Sequence, residues 1–170
     1  MRVTTALKHL IRLPGVNISE VEFGSTAVVV TVSLRRRLLV CPDCGFETRA
    51  AYEKRGQVVS SWRHLDLGVW RLEIRAYLRR LVCPVHGVRV EGVPFAGPRS
   101  GFTTDFEALV AWLATKTDQT TITKLVRIDW DTVGRICARV AAEKLDPTRL
   151  DDLSQIGVDE VSWKKHHNYL

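Results

Sequence analysis

Between residues 4 and 13 the apolar side chains fall at Ala6, Leu7, Leu10, Ile11 and Leu13, a helical spacing closed by Pro14-Gly15. A short helix is expected there. From Val16 to Val40 the pattern turns to β-branched runs, Val21-Glu22-Phe23 and Ala27 to Leu34, separated by Gly24-Ser25, and predicts a hairpin. Residues 57–82 also read as extended, with Gly68 as punctuation and one strand-like stretch from Val69 to Val82. In that stretch Arg71, Glu73, Arg75 and Tyr77 alternate with Leu72, Ile74, Ala76 and Leu78, the period of two of a half-exposed strand. The Gly- and Pro-rich passage from Gly92 to Gly101 then marks a boundary.

Beyond it the period becomes helical. Thr104-Asp105-Phe106-Glu107 reads as a capping box opening a helix with Phe106, Leu109, Val110 and Leu113 inward, which ends near Thr117-Asp118. A second, short helix should bury Ile122, Leu125 and Val126. After a break at Arg127-Ile128-Asp129, Asp129 can cap a third helix with Trp130, Val133, Ile136, Cys137, Val140, Ala141 and Leu145 on its apolar face, stopped by Pro147. Helix, short helix, tight turn and longer helix is helix-turn-helix order. In such units the start of the last helix enters the major groove of DNA. Here it would present Asp131, Thr132, Arg135 and Arg139, with Arg135 able to bridge a guanine edge. Lys124, Arg127 and Thr120 or Thr121 would sit near phosphates. The alternative for the same pattern is a plain three-helix bundle with a solvated polar face.

Composition narrows the class. With 170 residues, 45% hydrophobic and 26% charged, the chain is globular and of one or two small domains, which excludes a large multidomain enzyme, wholesale disorder and a disulfide-dense scaffold. The longest apolar run, Ala27 to Val32, is far shorter than the roughly 18 residues of a membrane helix. Arg2, Lys8, His9 and Arg12 rule out a signal peptide at the start, so a soluble cytoplasmic protein is expected. Residues 1–100 hold 16 Lys plus Arg against 8 Asp plus Glu, whereas residues 101–170 hold 9 against 11; the first part is +8 and the second −2. A basic, Arg-rich first part, including Arg35, Arg36 and Arg37, points to a polyanion such as nucleic acid.

In a reducing compartment four cysteines are metal ligands or core thiols sooner than disulfides. Cys41-Pro42-Asp43-Cys44-Gly45 and Cys83-Pro84-Val85-His86-Gly87 are one five-residue design written twice, with histidine in place of the last cysteine. Two ligands separated by two residues converge on one ion, and two such turns supply a tetrahedral Cys3His set, a zinc-ribbon arrangement with a 38-residue insert. Zn(II) is preferred because the set is ordinary for structural zinc; iron is the alternative. With four protein ligands the site would be closed and structural. Cys137 reads as a core thiol.

The order of these features, CPxCG, Trp62-Arg63-His64-Leu65-Asp66-Leu67-Gly68, CPxHG, the helix-turn-helix and finally Ile156-Gly157-Val158-Asp159-Glu160, resembles the bacterial ISL-three-type insertion-sequence transposases from about residue 10 onward. The resemblance implies a zinc-binding region and a helix-turn-helix that recognise the element's terminal inverted repeats on double-stranded DNA. It also implies a Mg(II)-dependent RNase H-like domain with three acids that cuts and joins DNA. Asp159 matches the first acid, in a strand expected from Ile156 to Val161. The pattern for the other two acids is not found, and in Lys164-Lys165-His166-His167-Asn168 His166 stands where the family has glycine. One carboxylate cannot hold two catalytic ions, so this chain is expected not to cut DNA.

The expectation is thus an α+β chain: a β-rich zinc ribbon over 1–95, a three-helix helix-turn-helix unit over 102–147, and over 153–170 a short strand stub of an incomplete RNase H-like domain. Its expected role is DNA binding at the inverted repeats in a bacterial, nucleoid-associated setting, with a homo-oligomer left open. A regulator that represses the parent element and a fragment completed by a catalytic partner are the rival readings.

Overall fold

A computed structural model describes residues 3–54, 56–149, 151–152 and 154–155. It is an α+β structure. The strand expected from Ile156 to Val161, Asp159 included, lies outside the described residues.

The first helix, α1 (Val3–Ile11), buries Leu7 and Ile11 on the face of a four-stranded sheet. Leu10, expected inward, is 71% exposed, because it lies on the helix surface away from that pair. The sheet contains β1 (Val16–Phe23), β2 (Ala27–Leu34), β5 (Val58–Leu67) and β6 (Trp70–Leu78) in the order β1-β2-β6-β5. The β1–β2 and β5–β6 hairpins are antiparallel, and the two are joined by a parallel pairing of β2 with β6 that sets Val28 beside Leu72 and Val30 beside Ile74. The alternation in β6 meets its expected faces: Leu72, Ile74, Ala76 and Leu78 are buried with Val28, Val30, Val32 and Trp62. Phe95 packs edge-on against Trp62, with ring centroids 5.1 Å apart.

The stretch expected to run unbroken from Val69 to Val82 divides at Arg79. Its second half, β7 (Arg80–Cys83), pairs instead with β8 (Gly87–Val90). The division is enforced from within the protein: the carboxylate of Glu91, buried, receives both the Arg79 backbone N–H (2.9 Å) and its guanidinium (3.0 Å), so the Arg79 backbone is claimed by a side chain. A matching small ladder joins β3 (Leu39–Val40) to β4 (Glu47–Thr48), and the two hairpins enclose only Leu39, Cys41, Leu81 and Cys83.

Three helices complete the described chain: α2 (Thr104–Ala114), α3 (Gln119–Val126) and α4 (Trp130–Lys144). Their core is Phe106, Val110, Ile122, Val126, Val133 and Ile136. The capping box expected at Thr104 is displaced by one residue. Thr103 is the N-cap, its hydroxyl accepting from the Phe106 N–H, and Glu107 does not reach back but is buried against Ser100 and Arg139. Asp118 caps α3 through the Thr121 N–H at 2.9 Å, and the Thr121 hydroxyl, first, and that N–H hold its carboxyl below the usual range. Asp129 is the N-cap of α4 but makes no side-chain cap bond. Leu125 and Trp130, expected inward, are 61% and 54% exposed, since helices this short offer one narrow buried stripe each. Leu109 likewise lies at the rim rather than inside.

A Cys3His cluster and a three-helix unit beside the sheet

Cys41 and Cys44 lie on the β3–β4 turn, and Cys83 and His86 on the β7–β8 turn. Gly45 and Gly87 follow the second ligand of each, with φ of +74° and +70°, which explains why both five-residue motifs end in glycine. The four ligand atoms fall within 4.8 Å of one another, the one such group of three or more metal-capable side chains among the described residues. Cys44 Sγ is 3.5 Å from Cys83 Sγ, and His86 Nδ1 is 3.5 Å from Cys83 Sγ and 3.8 Å from Cys41 Sγ. A zinc tetrahedron with its usual bond lengths has edges of about 3.8 Å between sulfurs and about 3.5 Å from sulfur to nitrogen, so the set fits such an ion.

The electrostatics fit it too. Burial opposes a Cys83 thiolate, but the backbone N–H groups of His86 and Val85, with the His86 and Cys44 side chains, bring its pKa down to about 6. At Cys44 the Phe46 N–H favours the thiolate, yet burial and the crowding Cys83 and Cys41 sulfurs outweigh it and push the thiol up. A bound cation relieves that competition by stabilising all the thiolates together. Asp43, between the first two ligands, accepts from Arg89 at 2.9 Å and Arg99 at 3.3 Å, and the Arg89 bond is the main reason its carboxyl titrates low.

The segment 62–68 joins this β-rich part to the helices, residue by residue. A bulge between His64 and Leu67 adds one residue to β5 and re-aims the side chains there before pairing resumes at Leu67 with Trp70. Leu65 therefore packs into the helical core. Arg63 lies over the Phe106 ring, 5.5 Å from its centroid, and its backbone bonds to Gly101 and Thr103. His64, buried, contacts the Thr103 hydroxyl through Nδ1 at 2.7 Å, and burial lowers its pKa despite Asp105 nearby. Asp66 pairs with Arg63 at 2.6 Å and with Arg127. The one local signal for any of these contacts is the opposite charge of Arg63 and Asp66 three residues apart.

The side chains expected at DNA are distributed unevenly. On α4, Asp131 and Arg135 are exposed, together with Trp130, Gly134 and Ala138. Thr132 is buried and Arg139 is turned to α2, where it forms a two-pronged pair with Glu107 (2.6 and 3.1 Å). The reason is helical period: positions 132, 136 and 139 share the stripe that faces α2. Lys124, Thr120 and Thr121 are exposed on α3. Arg127 takes a left-handed backbone conformation at the turn, φ +56°, and its guanidinium bonds Asp66 and the Val69 carbonyl. Of the arginine triplet, Arg35 bonds the Val16 carbonyl and Asn17, Arg36 bonds the Gly92 carbonyl, and only Arg37 has no polar partner among the described residues.

Residues 91–141 match the helix-turn-helix domain of transposase family ISL3. The chain thus contains an ISL3-type helix-turn-helix segment. Two transposases for insertion sequence element IS1557, from Mycobacterium tuberculosis strains CDC 1551 / Oshkosh and ATCC 25618 / H37Rv, are each 41% identical to it over 133 residues. That similarity covers 76% of this chain and 29% of each relative. No solved structure matches the chain. In ISL3 terms, α2, α3 and α4 are the three helices of the matched domain, and no helix among the described residues is long and apolar enough to cross a membrane.

Proposed function

We propose that this chain is the DNA-recognition portion of an insertion-sequence transposase, binding the terminal inverted repeats of its element as double-stranded DNA. The observation that carries the reading is the ISL3-type helix-turn-helix with an exposed α4 start: Asp131 and Arg135 stand beside Gly134 and Ala138, small residues that let the helix approach base edges. Arg135 reads guanine and Lys124 neutralises phosphate. Arg37 adds a sequence-independent contact. Arg35, Arg36, Arg127 and Arg139 act indirectly, by holding the scaffold, and Thr132 by packing.

The Cys41, Cys44, Cys83 and His86 set holds one structural Zn(II), forming a zinc ribbon that fixes the edge of the sheet. The described residues are assigned to recognition and not to strand cutting, since Asp159 lies outside them and the cutting chemistry needs several carboxylates around its ions. The test is binding of the full chain to duplexes drawn from a randomised pool. Enrichment of a discrete sequence that Arg135→Ala no longer distinguishes supports the reading. Binding without any enrichment, or none at all, refutes it.

A further inference from the structure

The β5–β6 hairpin ends in an exposed turn, Gly68-Val69, followed by Trp70 and by Arg71, which begins the solvent face of β6. Gly68 (φ +61°) begins a two-residue turn between Leu67 and Trp70; Val69 is 80% exposed, Trp70 and Arg71 are exposed as well, and Arg71 has no side-chain partner among the described residues. A solvent-facing Val-Trp-Arg tip is unusual chemistry for an idle turn, where Gly, Asn, Asp and Ser prevail.

The tip is also anchored in one place. Asp66, displaced by the bulge, holds Arg127, and Arg127 donates to the Val69 carbonyl at 3.2 Å. Arg127 is the first residue of the turn between α3 and α4, three positions before Trp130 opens α4. The tip is therefore one arginine side chain away from the point where α4 would meet DNA. The major groove is about 12 Å wide, close to the diameter of the helix that fills it, so an element at that offset overlies the phosphate ridge and the neighbouring minor groove.

We infer that the hairpin tip is a second DNA-reading element, a wing that places Arg71 and Val69 in the minor groove flanking the major-groove segment read by α4. The inference rests on the DNA-binding reading above. Its chemistry suits that groove: a guanidinium is drawn to the negative potential of a narrow minor groove, and apolar side chains lie against its sugars and base edges. The Asp66–Arg127 clamp makes the two contacts one rigid reader, which explains why Arg127, at the helix-turn-helix turn, is bonded inward.

The test uses the full zinc-loaded chain, the duplex it selects from a randomised pool, and hydroxyl-radical footprinting with affinity read against salt. Arg71→Ala combined with Val69→Ser, both at exposed positions, should erase protection at one flank, weaken binding about three- to tenfold and lower the salt slope by about one unit, while protection under α4 persists. A second measurement does not depend on the variant: trimming the duplex at that flank should weaken the unaltered chain by the same factor and the variant no further. An unchanged footprint and affinity, or a flank loss equal in both proteins, overturns the wing and leaves DNA reading by α4 intact. Failure of the unaltered chain to bind any duplex overturns both.

Discussion

Two regions of this molecule, the helical unit and the paired hairpins beside the sheet, are held together by different physics. The helical unit closes over six fully apolar side chains from three helices and adds an ion pair between the buried Glu107 and the half-buried Arg139. The paired hairpins β3–β4 and β7–β8 enclose only four buried residues, two of which are the cysteines themselves. Removing the ligands from the second list leaves Leu39 and Leu81, and two leucines bury far too little apolar surface to order four short strands against their chain entropy. The helical unit is stable because of what it buries, whereas the hairpins bring together four side chains able to hold a cross-linking ion. The difference also divides what each region tolerates, because an apolar core can lose a methylene and relax, whereas a four-ligand site loses its cation with one ligand.

The sharpest way to break that comparison is to remove a metal ligand. Cys41→Ser, or chelation of the intact protein, is expected to abolish stoichiometric zinc and disorder the paired hairpins, the metal contributing on the order of 10 kcal/mol to such small sites. Metal analysis with amide exchange in residues 39–48 and 80–90 would read this, and unchanged protection in a metal-free protein would show that the small core suffices. Next in size is the ion pair of the helical unit. Glu107→Ala leaves the partly buried Arg139 without its partner and removes an acceptor from Ser100, and should cost about 3 kcal/mol in denaturant unfolding of the helices with zinc content unchanged.

Arg135→Ala should leave folding alone and cost about 1 to 3 kcal/mol on the preferred DNA sequence, relaxing choice at one base pair. Equal losses on preferred and random duplexes would move Arg135 from base reading to phosphate contact. Thr103→Ala removes the α2 cap and is expected to cost about 1 kcal/mol.

The smallest effect is a pH dependence at the junction of the sheet and the helical unit. Burial holds the folded-state pKa of His64 below its usual value. Above about pH 6.5 both folded and unfolded forms are neutral and His64 contributes nothing to the slope. As pH falls below that, the unfolded chain takes up a proton the folded one refuses, and stability declines down to the folded pKa, by less than about 1 kcal/mol at pH 6. His64→Gln should flatten the decline relative to the unaltered protein, which separates it from any acid release of metal.

Much of the candidate site was legible because its information is local. Two ligands with two residues between them must share a turn, and a glycine after the second supplies the positive φ that the turn needs, so the Cys3His group is legible before any fold is known. The period of β6 likewise told which residues face inward, while that of α4 did so for Val133 and Ile136 but not for Trp130 or Thr132. Where the reading erred, the deciding partner was distant in sequence. Nothing near Arg79 says that Glu91 will take its N–H, nothing near Arg139 says that Glu107 will be buried opposite it, and exposed cations on paper became Arg127 and Arg35 bonded to carbonyls.

The segment 62–68 shows the division most fully. By itself it could be read only as part of an extended run and as a family signature, since a strand's sequence records which face is apolar but not which strand lies beside it. Tertiary structure alone set β2 parallel to β6, bulged β5 at Leu65-Asp66 and delivered those two residues to the helices. The physical reason is range: turn geometry and side-chain period act over a few bonds and are written in neighbouring residues, whereas strand partners, buried charges and the seating of one region on another are settled only when surfaces remote in sequence compete for the same space.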